Sequence, residues 1–164
     1  MAHAPYRTWG SSTKLGGTWT DLASEVVNFK TGGALKTLTT AGIVKGDVNG
    51  HINRKHSATS VDLPVGLLVY TPEGVAITEY QLLHLHQQGD SREFRTVTGG
   101  VLHVSGGATR DLVDFDSHKV APRTYQIIPP KLKPGEYGLL ASSSTDATGR
   151  TGRIGKIYSF RIRE

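Results

Sequence analysis

Two histidines spaced two residues apart, His84 and His86, are the residues whose types and spacing best fit a chemical role. Side chains two positions apart project from the same face of a β-strand, so both imidazoles could bind one metal ion. His103 lies in another candidate strand and would supply a third ligand if the two strands pair. The pattern predicts a copper or zinc site at these three residues. The competing interpretation places the paired histidines on the solvent face, with Leu83 and Leu85 facing the core.

Basic residues gather in a loop-like segment before the C-terminal strand. Arg150, Arg153 and Lys156 are the candidate anion-binding residues. Phosphate loops use a following helix to direct backbone N–H groups at the anion, whereas here a strand is predicted to follow. The segment is therefore predicted to be an exposed loop that could contact an anion without forming a phosphate loop.

Aromatic residues provide a third kind of candidate surface. If Trp9, Trp19 and Tyr70 are exposed, their rings could stack on the sugars of a polysaccharide. Burial of one or both indoles beneath the N-terminal segment is the alternative. This pattern alone favours neither.

Charge gives little support to a nucleic-acid partner, although the formal net charge is +5. Such binding would require exposed rings interleaved with basic residues, whereas Tyr125 and Tyr158 stand among apolar residues and are predicted to be core. The segment Arg92-Glu93-Phe94-Arg95 is interpreted as a solvated strand edge around one buried ring. We therefore expect no nucleic-acid partner.

No complete catalytic set is recognisable. Cysteine is absent from the 164 residues, which excludes thiol catalysis and disulfides. The Gly-x-Ser-x-Gly elbow of serine hydrolases is also missing. Asp114 and Asp116 share one face of a candidate strand, an arrangement typical of a solvated edge.

The elements that would position these residues are short strands separated by turns. Tyr158, Phe160 and Ile162 share one strand face, and the dipeptide Asn49-Gly50 predicts a tight hairpin turn. The candidate strands cover residues 35–44, 58–63, 66–71, 80–87, 93–97, 101–105, 111–115, 124–128, 138–141 and 156–163. No stretch of ten or more residues has helical periodicity.

These patterns predict an all-β chain in which residues 34–164 form a single antiparallel β-sandwich, Ig-like or jelly-roll-like. Residues 1–33, which hold both tryptophans, are predicted to form an irregular N-terminal arm. Sheet edges or this arm could mediate homo-oligomerisation. No apolar run approaches the roughly 20 residues that span a bilayer, and no signal peptide is visible.

Several motifs occur in a recognisable order along the sequence: Glu79–Leu85, Asp90–Phe94, Leu132–Leu140 and a closing Gly155–Phe160. From about residue 50 onward the chain resembles uncharacterised exported β-sandwich proteins of bacteria with Acidobacteria-like genomes. The resemblance implies a secreted, periplasmic or cell-envelope location, and no activity comes with it. The His-x-His pair is also similar to that of cupins, but Asp90 and Ser91 stand where a cupin has its glutamate.

The function predicted from the sequence is a non-enzymatic binding or assembly module of an exported bacterial protein. The alternatives are a copper- or zinc-dependent enzyme built on the His-x-His strand and a carbohydrate-binding module. No cofactor is required by the first interpretation.

Overall fold

The computed structural model describes residues 11–15, 18–31, 47–97, 110–129, 131–141 and 154–163. Within these ranges the chain forms thirteen strands and one short 3₁₀ turn, so the predicted all-β class is confirmed. None of the described residues belongs to a helix with the length and apolar character that a membrane crossing requires. The strands are β1 Ser11–Leu15, β2 Thr18–Asp21, β3 Ser24–Thr31, β4 Asp47–Ile52, β5 Ser60–Val61, β6 Leu67–Tyr70, β7 Gln81–Gln88, β8 Ser91–Val97, β9 Leu112–Val113, β10 Asp116–Ala121, β11 Thr124–Ile128, β12 Gly135–Leu140 and β13 Ile154–Ile162, and the 3₁₀ turn is Ile77–Glu79.

Six strands close into a barrel, in the order β3, β4, β8, β7, β12, β13 and back to β3. Every neighbouring pair in this ring is antiparallel. The ring is closed by β7 and β12, where Leu83 lies opposite Gly138. β7 and β8 pair only over the three residues from His86 to Gln88, and β9 pairs with β7 beside Leu82 and Leu83.

Alternation along the barrel strands places a small apolar core inside the ring. Its buried members are Val27, Ile52, Leu83, Leu85, Phe94, Leu140 and Ile157. Glycines in the wall make room for the largest side chains: a Cβ on Gly50 would lie 2.2 Å from Cζ of Phe94, and one on Gly155 would lie 2.5 Å from Cε2 of Phe29. A six-stranded barrel is narrow, so an aromatic ring fits inside where the facing wall carries no side chain.

One end of the barrel interior holds a buried ion cluster built around Arg92, which is fully buried. Its Nη2 donates to both carboxylate oxygens of Glu25 at 2.8 Å, and its Nε donates to the carbonyl oxygen of Arg54 at 2.8 Å. Its Nη1 donates to Ser57 Oγ at 2.7 Å and lies 3.5 Å from Glu136. Glu136, also buried, accepts the backbone N–H of Ser57 at 2.9 Å. The charge of the guanidinium is therefore compensated by two carboxylates inside the barrel.

The interpretation of residues 92–95 as a solvated strand edge is wrong, because β8 lies between β4 and β7 in the barrel and Arg92 is buried. Arg92 and Phe94 share the interior face of β8, whereas Glu93 and Arg95 are exposed. Glu93 pairs across the barrel surface with His51 at 3.2 Å. The physical reason is the two-residue alternation of the strand, which puts the first arginine on the same side as the buried ring.

A five-stranded antiparallel sheet covers one side of the barrel, in the order β10, β11, β6, β1, β2. A second apolar core lies between this sheet and the barrel wall. It includes Leu67, Val69 and Ile127 from the sheet and Leu82, Leu139 and Phe160 from the barrel. The predicted antiparallel all-β class holds, but one layer of this architecture is a closed barrel because β7 and β12 pair.

Two local predictions fail. The N-terminal region is not irregular over residues 11–15 and 18–31: β1 pairs with β2 in the five-stranded sheet, and β3 lies between β4 and β13 in the barrel. Asn49-Gly50 lies inside β4 and not at a turn, because Gly50 provides the space that the Phe94 ring occupies. The predicted boundary at residue 33 and the candidate strands 35–44 and 101–105 lie outside the described residues.

Tyr137 packs against the corner that precedes β12. The buried Tyr137 donates its hydroxyl hydrogen bond to the carbonyl oxygen of Lys133 at 3.0 Å, across the turn before β12. Its ring stacks on Phe160, with 5.8 Å between ring centroids. The same ring lies 5.2 Å from the imidazole of His84, so this corner supports the histidine site.

Candidate functional site

An open groove of about 270 Å³ lies where the pairing of β7 and β12 ends. Leu85 is opposite Glu136 in the register, and β12 begins one residue earlier at Gly135, so β7 continues past its partner. The residues that line the groove are His84, Leu85, His86, Gln87, Pro134, Gly135, Glu136, Arg161 and Ile162. The groove therefore brings two imidazoles next to the charged end of the barrel.

His84 and His86 share the outer face of β7, as the two-residue spacing predicts. Leu83 and Leu85 point the other way and are buried in the barrel core. The two imidazole rings pack edge to face, with 4.7 Å between their centroids. Both rings are half-buried, so neither is a freely solvated surface residue.

A buried carboxylate, Asp111, holds His86 in place. Asp111 Oδ1 lies 2.7 Å from His86 Nε2, and its backbone carbonyl accepts the N–H of His84 at 2.8 Å. Its Oδ2 accepts the backbone N–H of Arg95 at 2.8 Å, at the place where β8 separates from β7. Arg110 donates to Oδ1 at 3.2 Å. Asp111 thus replaces the missing ladder hydrogen bond between the two strands and orients one histidine of the pair.

The protonation preferences of this group follow from burial and hydrogen bonding. Burial alone raises the pKa of Asp111, but the hydrogen bonds from Arg95, His86 and Arg110 outweigh it, so the pKa lies below the usual value for a carboxyl. Burial lowers the pKa of His84, and the neighbouring His86 lowers it further, against the opposing effect of Asp111. The carboxylate is therefore ionised and the His84 imidazole neutral at neutral pH.

The ring nitrogens of His84 have no hydrogen-bond partner among the residues that the structure describes. The rings of His86 and Tyr137 pack against it. A neutral imidazole carries one donor and one acceptor, and those of His84 are available to solvent or to a ligand in the open groove. The groove thus contains an imidazole that no described residue pairs, beside one that Asp111 holds in place.

The predicted metal site is only partly within the described residues. His84 and His86 are brought together, whereas His103 lies outside the described ranges. In the parts of the chain that the structure describes, no group of three histidine or carboxylate side chains converges on one point. Asp111 contacts His86 but does not line the groove.

The other predicted contact residues are not brought together at this groove. Arg150, Arg153 and Trp9 lie outside the described residues, and Lys156 is exposed on β13. Trp19 is 40% exposed on β2. Tyr70, on β6, has the guanidinium carbon of Arg123 4.8 Å from its ring centroid, so that face of the ring is covered.

Sequence reasoning did not find the roles that the structure gives to Asp111, Arg92, Glu25 and Glu136. For Arg92 a signal was present, since a charged residue alternates in register with Phe94 and Thr96 on a buried face. The role of Asp111 could not be found locally because its partners lie on β7 and β8.

Comparison with known proteins identifies no relative of this chain: no protein-family model, curated protein or solved structure matches it.

Proposed function

We propose that the chain is a non-enzymatic binding module whose ligand lies in the groove between β7 and β12, against the imidazoles of His84 and His86. One observation carries the proposal: the half-buried His84 ring lacks a hydrogen-bond partner among the described residues, beside a histidine that Asp111 holds in place. Unpaired polar groups at a groove are what a ligand would satisfy.

The chemistry of the lining favours binding over catalysis. None of the described lining residues carries a hydroxyl or thiol that could act as a nucleophile. The one carboxylate in the lining, Glu136, is engaged by Ser57, His56 and Arg92 and is held as part of the ion cluster. Nucleophilic catalysis through a hydroxyl or a thiol would therefore require groups that this lining does not supply.

Self-assembly is a second candidate, favoured by the edge strand β10. Among the described residues β10 pairs only with β11, and all six of its residues are exposed. Such an edge can add a strand from another copy. Deleting residues 1–33 is not a suitable test of self-assembly, because the deletion would also remove β3 from the barrel. A monomeric mass in light scattering would contradict it.

Export from a bacterium is proposed on the sequence resemblance alone.

The proposed role of His84 is tested without knowing the ligand, by replacing His84 with leucine. If the imidazole serves binding, the substitution removes an unpaired polar group beside the Tyr137 ring and stabilises the fold by about 0.5–2 kcal/mol. That corresponds to a rise in Tm of roughly 2–4 °C per kcal/mol for a chain of this size. Thermal unfolding followed by circular dichroism measures it.

The matched control is His118→Leu, since His118 is an exposed histidine on β10. Its effect should stay within about 0.5 kcal/mol. A fall of several degrees for His84→Leu, with the control unchanged, would give His84 a structural role and contradict the proposal.

A further inference from the structure

We infer that the ligand of this groove is a divalent transition-metal ion bound by the imidazoles of His84 and His86, with Asp111 as the residue that positions His86. The inference rests on the proposed binding function and gives its ligand a chemical class. Three features carry it: the hydrogen bond that fixes His86, the position of His84, and the composition of the remaining lining.

The hydrogen bond to Asp111 determines which nitrogen of His86 is available. An ionised carboxylate only accepts hydrogen bonds, so His86 Nε2, at 2.7 Å, carries the proton. When the ring carries only that proton, its lone pair is on Nδ1, which has no hydrogen-bond partner among the described residues. Metal-binding histidines almost always donate their other ring N–H to a carboxylate, carbonyl or water, which fixes the tautomer and raises the basicity of the ligating nitrogen.

His84 supplies the second imidazole. Both rings project from one face of β7 with their centroids 4.7 Å apart. Two histidines that share an ion each place one nitrogen roughly 2.0–2.1 Å from it. The rings of His84 and His86 are close enough to satisfy this distance. Both nitrogens of His84 are free of described partners, so either tautomer can ligate without breaking a hydrogen bond.

The remaining lining sets the expected selectivity. Asp111 is not part of the lining, and the one lining carboxylate, Glu136, is held in the ion cluster, so solvent would fill the other coordination positions. Imidazole ligands suit copper, nickel and zinc, whereas magnesium and calcium require oxygen ligands. We expect Cu²⁺ to bind more tightly than Zn²⁺, in the Irving–Williams order, and Mg²⁺ not to bind at the groove.

The test is calorimetric titration of the full chain, purified without an affinity tag, with Zn²⁺ and Cu²⁺. The expected result is one ion per chain, with affinity reduced at least about tenfold in His84→Ala and in His86→Gln, because loss of a ligand should cost no less than loss of its supporting residue. The glutamine can still donate to Asp111, so the buried carboxylate keeps a partner and the fold is preserved. The exposed His118→Ala is the control and should bind as the wild type does.

Asp111→Asn separates positioning from structure. The amide oxygen can keep the hydrogen bond from Arg95, but the amide nitrogen donates to His86 Nε2 and moves the ring proton to Nδ1. We expect affinity to fall about 10–100-fold while circular dichroism is unchanged. Equal metal affinity in His84→Ala, His86→Gln and the wild type, or no binding to the wild type, would overturn the inference. If His84→Leu nevertheless raises Tm, the proposed binding role of His84 stands and only the ligand class is wrong.

Discussion

Replacing Arg92 with leucine should lower the free energy of unfolding by about 3–5 kcal/mol, the expected cost of removing one partner of a buried ion pair. The guanidinium is fully buried and makes a two-bond contact with Glu25. Its loss leaves Glu25 and Glu136 inside the barrel without their common cation. Urea unfolding measures the loss directly.

Two variants show which physical effect is responsible. Arg95→Ala removes an exposed arginine from the same strand and should change stability by no more than about 0.5 kcal/mol. The triple variant Arg92→Met, Glu25→Leu, Glu136→Leu should recover much of the stability, because uncompensated charge is more costly than the loss of the attraction. A loss below about 1 kcal/mol for Arg92→Leu would mean that the carboxylates are not buried with it.

Gly50→Ala is the second substitution for which we expect a large effect. The added Cβ would lie 2.2–2.6 Å from three atoms of the Phe94 ring, closer than van der Waals contact allows. Overpacking of a core typically costs about 1–3 kcal/mol, and a ring enclosed by a closed barrel has few directions in which to move. Urea unfolding should show this loss with an unchanged slope.

The steric origin can be verified by rescue. Phe94→Leu shortens the opposing side chain, so the double variant should be more stable than the sum of the two single effects predicts, with a coupling of about 0.5–3 kcal/mol. Gly66→Ala is the control, since a Cβ at Gly66 has no atom within 4 Å. Additive effects in the double variant would place the ring away from Gly50.

The sequence was sufficient for the fold class because strand alternation is a local property. β11, Thr124–Ile128, matches its predicted bounds, and the opposite faces of Leu85 and His86 follow from spacing alone. Barrel closure could not be predicted in this way. It depends on the pairing of β7 with β12, whose aligned residues Leu83 and Gly138 are far apart in the chain.

The pair His84 and His86 could be predicted from the sequence, whereas the contact of Asp111 with His86 depends on the tertiary structure. The His-x-His spacing placed two imidazoles on one face, but nothing near position 111 marks its aspartate as the partner of His86. That contact exists because β9 lies beside β7 and brings Asp111 to the gap between β7 and β8. At Gly50 the local pattern gave a wrong prediction. The dipeptide Asn49-Gly50 is typical of a hairpin turn, but a glycine is needed here because the Phe94 ring occupies the space of a side chain.

The proposed metal site depends most on which ring nitrogen of His86 carries the proton before any ligand is added. Long-range ¹H–¹⁵N correlation spectra of the metal-free protein at neutral pH identify which ring nitrogen of each histidine carries the proton. We predict that His86 holds its proton on Nε2, toward Asp111, and that its bare Nδ1 signal shifts when Zn²⁺ is added. A proton on Nδ1, or a ring signal indifferent to Zn²⁺, would contradict the account.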